Sequence, residues 1–382
     1  MSYQPKDLYN RIKRVTTSGK HIPAFDGMRC LAIMWVAMYH LNGSFSKKAP
    51  LTDAAVPDEG WFHLLMVNGR QGVPLFFVLS GFFLCLPFAR RYLGGKEGID
   101  LKAYYVRRFI RIVPPYWTAV VSLAVAYALL GRYSSDFLIP RVAASLGFAY
   151  TFVFDQINII NSSFWALEVE MQFYIVAPVL VYLYFLSTPP IRRTVAFVLI
   201  ALIPLMQIQY EANISFTLLN FLQYFIAGFI ISDLYVSGAG QSFRRYWFLP
   251  LIALPIILFA RYDDSVLERM IYPFMVIILY LTVLFNPFWE KVFNQKYAVA
   301  VGGISYSIYL IHFPIIGYFG TYTMPLTLTG NYNIDLIIQT AMLLPAILVL
   351  SAIFYLVAER PFMLIRPRGR TSTAVTPERN RT

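Results

Sequence analysis

The chain has 382 residues, 58% of them hydrophobic and 14% charged, with a formal net charge of +12. Its mean hydropathy of +0.57 lies outside the range of soluble domains, and the apolar residues come in blocks long enough to cross a bilayer, so the fold class read from the sequence is an all-α, polytopic transmembrane helical bundle. The positive charge is concentrated between those blocks, which makes it a topology signal and excludes a nucleic-acid footprint.

The first element is a basic tail, residues 1–25, with Lys6, Arg11, Lys13, Arg14 and Lys20. It leads into an apolar block without a small-residue cleavage site, the pattern of a retained signal anchor with a cytoplasmic N-terminus. Ten spans are expected, at roughly 26–44, 71–89, 113–131, 164–186, 194–211, 215–236, 247–261, 268–286, 297–320 and 335–358. With the first entering from the cytoplasm, only Lys47, Lys48, Arg70, Arg132, Arg141, Arg261 and Arg269 of the 32 basic residues fall outside, and Arg29 lies within the first span. The stretch 138–154 is apolar but short and broken by Pro140 and Arg141, so it is expected to be re-entrant or interfacial on the outer face. Residues 26–360 thus form one transmembrane domain, followed by a second basic cytoplasmic tail, 361–382. Cys30 and Cys85 both sit in apolar runs and read as small buried hydrophobes, with no disulfide or metal site expected.

Four motifs carry chemistry. Within the first span, Arg29 and His40 are eleven residues apart, about 20° past three full turns and roughly 16 Å along the axis, so one helix face presents both. Asp26 lies about 40° to the other side of that stripe. Ionisable groups at that depth are rare without a function. At the third span, Arg107, Arg108 and Arg111 form a guanidinium patch suited to an anionic group at headgroup level, and Pro114 and Pro115 are expected to break or redirect the helix beyond them. The fourth span opens with Trp165, Glu168 and Glu170; the two carboxylates are about 200° apart on a helix and cannot face the same partner, although either could orient an imidazole at the level of His40. In the ninth span Gly302, Gly303, Ser305, Tyr306 and Ser307 precede His312, whose role is divided between function and satisfying carbonyls freed by Pro314. His21 and His63 read as aqueous residues.

The run from Ile22 to Arg29 and on to His40, the run Gly72-Val73-Pro74 to Ser80-Gly81-Phe82, the segments Arg107–Trp117, Phe164–Tyr174 and Ile304–Pro314, and the closing Glu359-Arg360-Pro361-Phe362 occur in an order that resembles the acyltransferase 3 family of bacterial integral membrane O-acyltransferases. The resemblance implies transfer of an acyl group, commonly acetyl, from cytoplasmic acyl-CoA to a hydroxyl of a sugar-containing acceptor: a polysaccharide, a lipid-linked sugar or a glycosylated small molecule. It implies the bacterial inner membrane, no metal, and a form of the family without an appended extracytoplasmic domain. The family's Arg/His pattern falls on Arg29 and His40, its arginine motif on Arg107, Arg108 and Arg111, and its Val-Glu motif on Val169 and Glu170. Met171 stands where the family often has a second Glu, Glu168 where it often has Ser, and Pro74 where many members carry Asp.

The site expected from the sequence therefore comprises His40 as general base, Glu170 beside it, Arg29 and Asp26 on the same stripe, and the three arginines as the acyl-CoA phosphate clamp. Trp165, Glu168, Ser80, Tyr306 and His312 are candidate substrate contacts. The rival class is a proton-coupled transporter or flippase using Arg29, His40 and Glu170 as a relay, which lacks the internal repeat expected of such folds.

Overall fold

A computed structural model of the chain describes residues 21–50, 61–95, 98–214, 216–260 and 266–365. Most of the two basic tails, together with Lys96 and Arg261, lie outside the described residues. Among the described residues the secondary structure is entirely helical. The α-helices are α1 (Pro23–Lys48), α2 (Trp61–Val67), α3 (Gly72–Gly94), α4 (Leu101–Leu129), α5 (Ser135–Leu146), α6 (Tyr150–Phe154), α7 (Trp165–Phe185) and α8 (Pro189–Ile214). They continue with α9 (Leu218–Val236), α10 (Leu249–Phe259), α11 (Val266–Phe285), α12 (Pro287–Phe293), α13 (Lys296–Gly303), α14 (Ser305–Thr323), α15 (Tyr332–Phe354) and α16 (Arg360–Met363). A π-helical turn at Tyr355–Glu359 joins the last two.

Seven of the described stretches are long and apolar enough to cross a membrane, and nine are if two bent pairs each count as one span. Those pairs are Ala239–Arg245 with α10, bent by 96°, and α13 with α14, bent by 73°. The chain is a multi-pass membrane protein with seven to nine candidate spans, against the ten expected. The difference is α1, which at 26 residues is long enough but is diluted by Asp26, Arg29, His40, Asn42, Lys47 and Lys48.

One local expectation needs correcting. Pro114 and Pro115 do not break the third span: α4 is helical from Leu101 to Leu129. The two missing N–H groups leave the carbonyls of Ile110 and Arg111 without intrahelical donors, and both residues border the internal cavity described below, where polar backbone is tolerated. The stretch 138–154 forms two short helices separated by a turn in which Phe148 has φ 54°; α5, with 12 residues, rises only about 18 Å. It is fastened to α4 by Tyr116 Oη and Trp117 Nε1, which donate to the Ser145 and Leu146 carbonyls, both at 2.9 Å.

Close packing fixes the bundle. Gly81 of α3 rests on the Phe225 carbonyl of α9, and Gly228 of α9 rests on the backbone of Val78, Gly81 and Phe82, so each helix seats a glycine on the other's main chain. On the other side of the bundle, Gly302 of α13 lies on the Asp26 carbonyl, and Gly27 of α1 on the Phe293 carbonyl. At one end, Arg192 and Arg193 of α8 both grip the buried Asp233 carboxylate of α9 at 2.9 to 3.0 Å, and Tyr184 Oη of α7 donates to it at 3.1 Å. One carboxylate thereby joins three helices and compensates two guanidiniums that apolar surroundings would otherwise penalise.

Gly228→Val places a Cβ bearing two methyl groups against the backbone of α3, which cannot move aside as a side chain can. Overpacking of this kind typically costs about 1–3 kcal/mol. The variant is expected to unfold several degrees below wild type in a detergent-based thermal assay; an unchanged transition would show that the helices are not held this closely.

Candidate active site

One face of α3 from Val73 to Arg90, the first half of α4 and the inward faces of α1, α7 and α14 enclose a cavity of about 590 Å³. At one end its wall carries Arg90, Arg107, Arg108 and Arg111, with Phe362 and Met363 of α16 opposite. Deeper, Arg29, Ser80, Glu170, Tyr174 and Tyr306 follow, and Tyr309, Ala166 and Leu167 close the far end. Asp100 caps α4, its side chain accepting from the Ala103 N–H at 3.0 Å, and Arg107, Arg108 and Arg111 follow about two to three turns later on the cavity wall.

Arg29 is tied down by Asp26, to which it donates a short hydrogen bond one turn back along α1. The second Asp26 oxygen lies 2.6 Å from His21 Nε2, and the Phe83 ring lies under the guanidinium at 5.0 Å. Asp26 is fully buried and sits in the first turn of its helix, where the backbone dipole favours a carboxylate. It therefore acts as an anchor for Arg29, and His21, read from sequence as aqueous, is the third member of this cluster and borders the cavity.

The Glu170 carboxylate accepts short hydrogen bonds from Ser80 Oγ and Tyr174 Oη. Tyr174 in turn underlies Arg108, whose Cζ is 5.9 Å from the ring centre. Glu168, on the opposite side of α7, is fully buried away from the cavity and accepts from the Thr151 N–H at 3.0 Å, capping α6. Trp165 packs on Phe216 and Phe221 at 5.3 and 5.2 Å. These two residues tie α6, α9 and the segment before α9 to α7; neither lines the cavity.

His40 also lies outside the cavity wall. Its Nε2 is 3.5 Å from Ser163 Oγ, and its ring is flanked by Tyr39 and Phe313, both at 5.0 Å, and by His312 at 5.2 Å. The carboxylate expected beside His40 is thus not its neighbour: Glu170 is engaged with Ser80 and Tyr174, Glu168 with Thr151, and a second imidazole takes the place. Tyr309 separates the two compartments, since it lines the cavity while its hydroxyl donates a short bond to the Ser163 carbonyl and its ring lies 5.9 Å from His312.

A family model described as an acyltransferase domain, that of acyltransferase 3, matches residues 22–356. The chain belongs to this family. Among curated relatives, a putative O-acetyltransferase of Staphylococcus aureus is 25% identical over 339 residues, covering 79% of this chain and 52% of its own length. The peptidoglycan O-acetyltransferase of Listeria monocytogenes is 28% identical over 199 residues, 47% of this chain and 27% of its own length. A putative peptidoglycan O-acetyltransferase of Bacillus subtilis is 27% identical over 173 residues, 43% of this chain and 24% of its own length. The chain spans about half the length, or less, of these relatives. No solved structure gives a significant match.

The matched region of this acyltransferase 3 chain contains both compartments except for His21, Phe362, Met363 and Ile365 of the cavity wall. Of the residues singled out in the sequence, Arg29, Ser80, Arg107, Arg108, Arg111, Glu170 and Tyr306 share the cavity, while His40 and His312 form a pair beyond it. His21, Ser163, Tyr174 and Tyr309 were missed. The only sequence signal for them was proximity to the motifs: Tyr174 is one turn after Glu170, and Tyr309 is three residues before His312.

Asp26→Asn removes the charge facing a nearly buried guanidinium. Breaking a buried pair of this kind costs about 3 kcal/mol, and Arg29→Gln on its own leaves the carboxylate with less compensation. The double variant Asp26→Asn/Arg29→Gln is expected to be more stable than the sum of the two losses predicts, as thermal unfolding of the four proteins in one detergent would show. Strict additivity would contradict the anchoring role of Asp26.

Proposed function

We propose that the protein is an O-acyltransferase of the bacterial inner membrane, with both termini cytoplasmic, that moves an acyl group, acetyl in the simplest case, from cytoplasmic acyl-CoA to a hydroxyl of a carbohydrate-containing acceptor. The observation that supports this reading best is the single cavity with four arginines at one end, a fifth at mid-depth, and an imidazole pair one tyrosine beyond its far end. Guanidinium groups clustered on the cavity wall match the phosphates of CoA, and Ser80, Glu170 and Tyr174 among its apolar lining match an extended pantetheine arm. The relatives' printed names make a peptidoglycan-type glycan the first acceptor class to test.

In this reading the CoA phosphates rest on Arg107, Arg108 and Arg111. The pantetheine arm passes Ser80, Glu170 and Tyr174, whose hydroxyl and carboxylate groups suit its two amides. Tyr309 swings aside so that the thioester reaches His40. His40 takes the proton of the acceptor hydroxyl as the oxygen attacks the thioester carbonyl carbon; the C–S bond breaks, and the thiolate recovers a proton from the imidazolium to leave as CoA thiol. Binding and chemistry are then carried by different residues, so they are separable by mutation.

The full-length protein in nanodiscs is expected to bind acetyl-CoA saturably. Arg107→Ala/Arg108→Ala should weaken binding at least about tenfold, the worth of one charge-assisted hydrogen bond or more. His40→Ala should bind normally but lose about 10² to 10⁴ in thioester turnover. Calorimetry for binding and thiol release for turnover check both. Folded wild-type protein without saturable acetyl-CoA binding would sink the proposal.

A further inference from the structure

The sequence leaves His312 between a functional role and a structural one, in which it would satisfy a carbonyl freed by Pro314. Proline at 314 removes the N–H that would bond the Leu310 carbonyl four residues back. That carbonyl is already taken: Asn161 Nδ2 donates to it at 2.8 Å. His312 instead places Nδ1 2.9 Å from both the Ile308 and the Tyr309 carbonyls. A carbonyl can only accept, so Nδ1 carries the proton, and the neutral ring is fixed in the tautomer that leaves Nε2 with a lone pair.

Nε2 is fully buried and, among the described residues, has no hydrogen-bond partner. An isolated buried acceptor is costly and needs an explanation. Its surroundings supply one. The His312 and His40 ring centres are 5.2 Å apart and the rings are tilted by 50°. An N–H···N bond between two imidazoles spans about 3 Å, and each nitrogen lies about 1 Å from its ring centre, so the two rings already stand at bonding separation and need only rotation to meet. Among the described residues no carboxylate hydrogen-bonds to either ring, and His40 Nε2 lies 3.5 Å from Ser163 Oγ.

We propose that His312 is the positioning residue of His40: its Nε2 lone pair accepts a hydrogen bond from the ring N–H of His40 and holds the imidazolium that forms when His40 takes the acceptor hydroxyl's proton. The inference rests on the acyl-transfer reading above, with His40 as base. The proton that His40 gains stays on His40 and later passes to the departing thiolate; His312 remains neutral throughout, its own proton held by the two carbonyls. A neutral imidazole here does what a carboxylate does elsewhere, orienting the base and stabilising its charged form, without placing a permanent charge in hydrocarbon.

The test is steady-state acetyl-CoA turnover by the full-length protein in nanodiscs, with chitotriose as acceptor and water as the background acceptor. Wild type, His40→Ala, His312→Ala, His312→Gln and His312→Phe are compared. His312→Ala is expected to lower kcat about 10- to 100-fold with KM for acetyl-CoA unchanged, the loss of one hydrogen bond to a charged group. The Gln side-chain carbonyl can accept the same bond, so His312→Gln should recover much of that loss, whereas His312→Phe, which fills the space without an acceptor, should not. Wild-type kcat in His312→Ala while His40→Ala is inactive would overturn the proposal and leave the acyltransferase reading standing. Equal losses in folded His312→Gln and His312→Phe would also overturn it. No turnover by wild type would overturn the acyltransferase reading itself and this inference with it.

Discussion

Hydrocarbon offers no partner to a polar group, so every charge carried into this bundle has to be answered from within it. Arg29 is answered by Asp26 and the Phe83 ring, and Asp26 by His21 as well. Arg192 and Arg193 share Asp233. Asp335, at the start of α15, is wrapped by the N–H groups of Leu328, Thr329 and Gly330 at 3.0 to 3.1 Å. Turning these side chains inward leaves the outer faces of α4, α7 and α8 to Val, Ile, Leu and Phe, which are exposed as a lipid-facing surface requires. The polar lumen and the apolar exterior follow from the same constraint.

That constraint also explains why the acidic residues are not where the chemistry is proposed. Glu170 collects two hydroxyl donors and Glu168 a backbone N–H, each a local solution to burying a carboxylate. Around His40 the neighbours are a serine, two aromatic rings and a neutral imidazole. Such a pocket holds no standing charge, so the proton taken from an incoming hydroxyl would meet little competition. Its separation from the arginine-lined cavity by Tyr309 keeps the proposed base away from the anionic end of the donor, and would limit loss of the thioester to water until an acceptor is present.

What could be read from the sequence was whatever depends on one helix at a time. Apolar runs located the helices because burial in lipid tolerates little else, and the eleven-residue spacing placed Arg29 and His40 on one stripe because the helical period is fixed. Arg107, Arg108 and Arg111 were found as a group for the same reason. Relations between helices were not legible. Ser80 and Glu170 are 90 residues apart, and His40 and His312 come from the first and fourteenth helices. No pattern in either segment announces the other, and the nearer carboxylates made a reasonable but different partner for His40. Pro114 and Pro115 misled because the rule that proline ends a helix assumes that the freed carbonyls have nowhere polar to go.

The helix that carries the stripe is the one that apolarity alone fails to identify as a span. Its polar residues are the cause, so α1 cannot depend on lipid for its place and depends on neighbours instead. Gly302 of α13 fits against the Asp26 carbonyl and Gly27 against the Phe293 carbonyl, contacts so close that a single added carbon at either glycine would collide with main chain. These seats fall at the turn of α1 that holds Asp26, one turn before Arg29. The packing that compensates α1 for its low apolarity is therefore the packing that fixes the Arg29 anchor. The chain could not trade those glycines for larger residues without displacing the charge cluster on which the cavity is built.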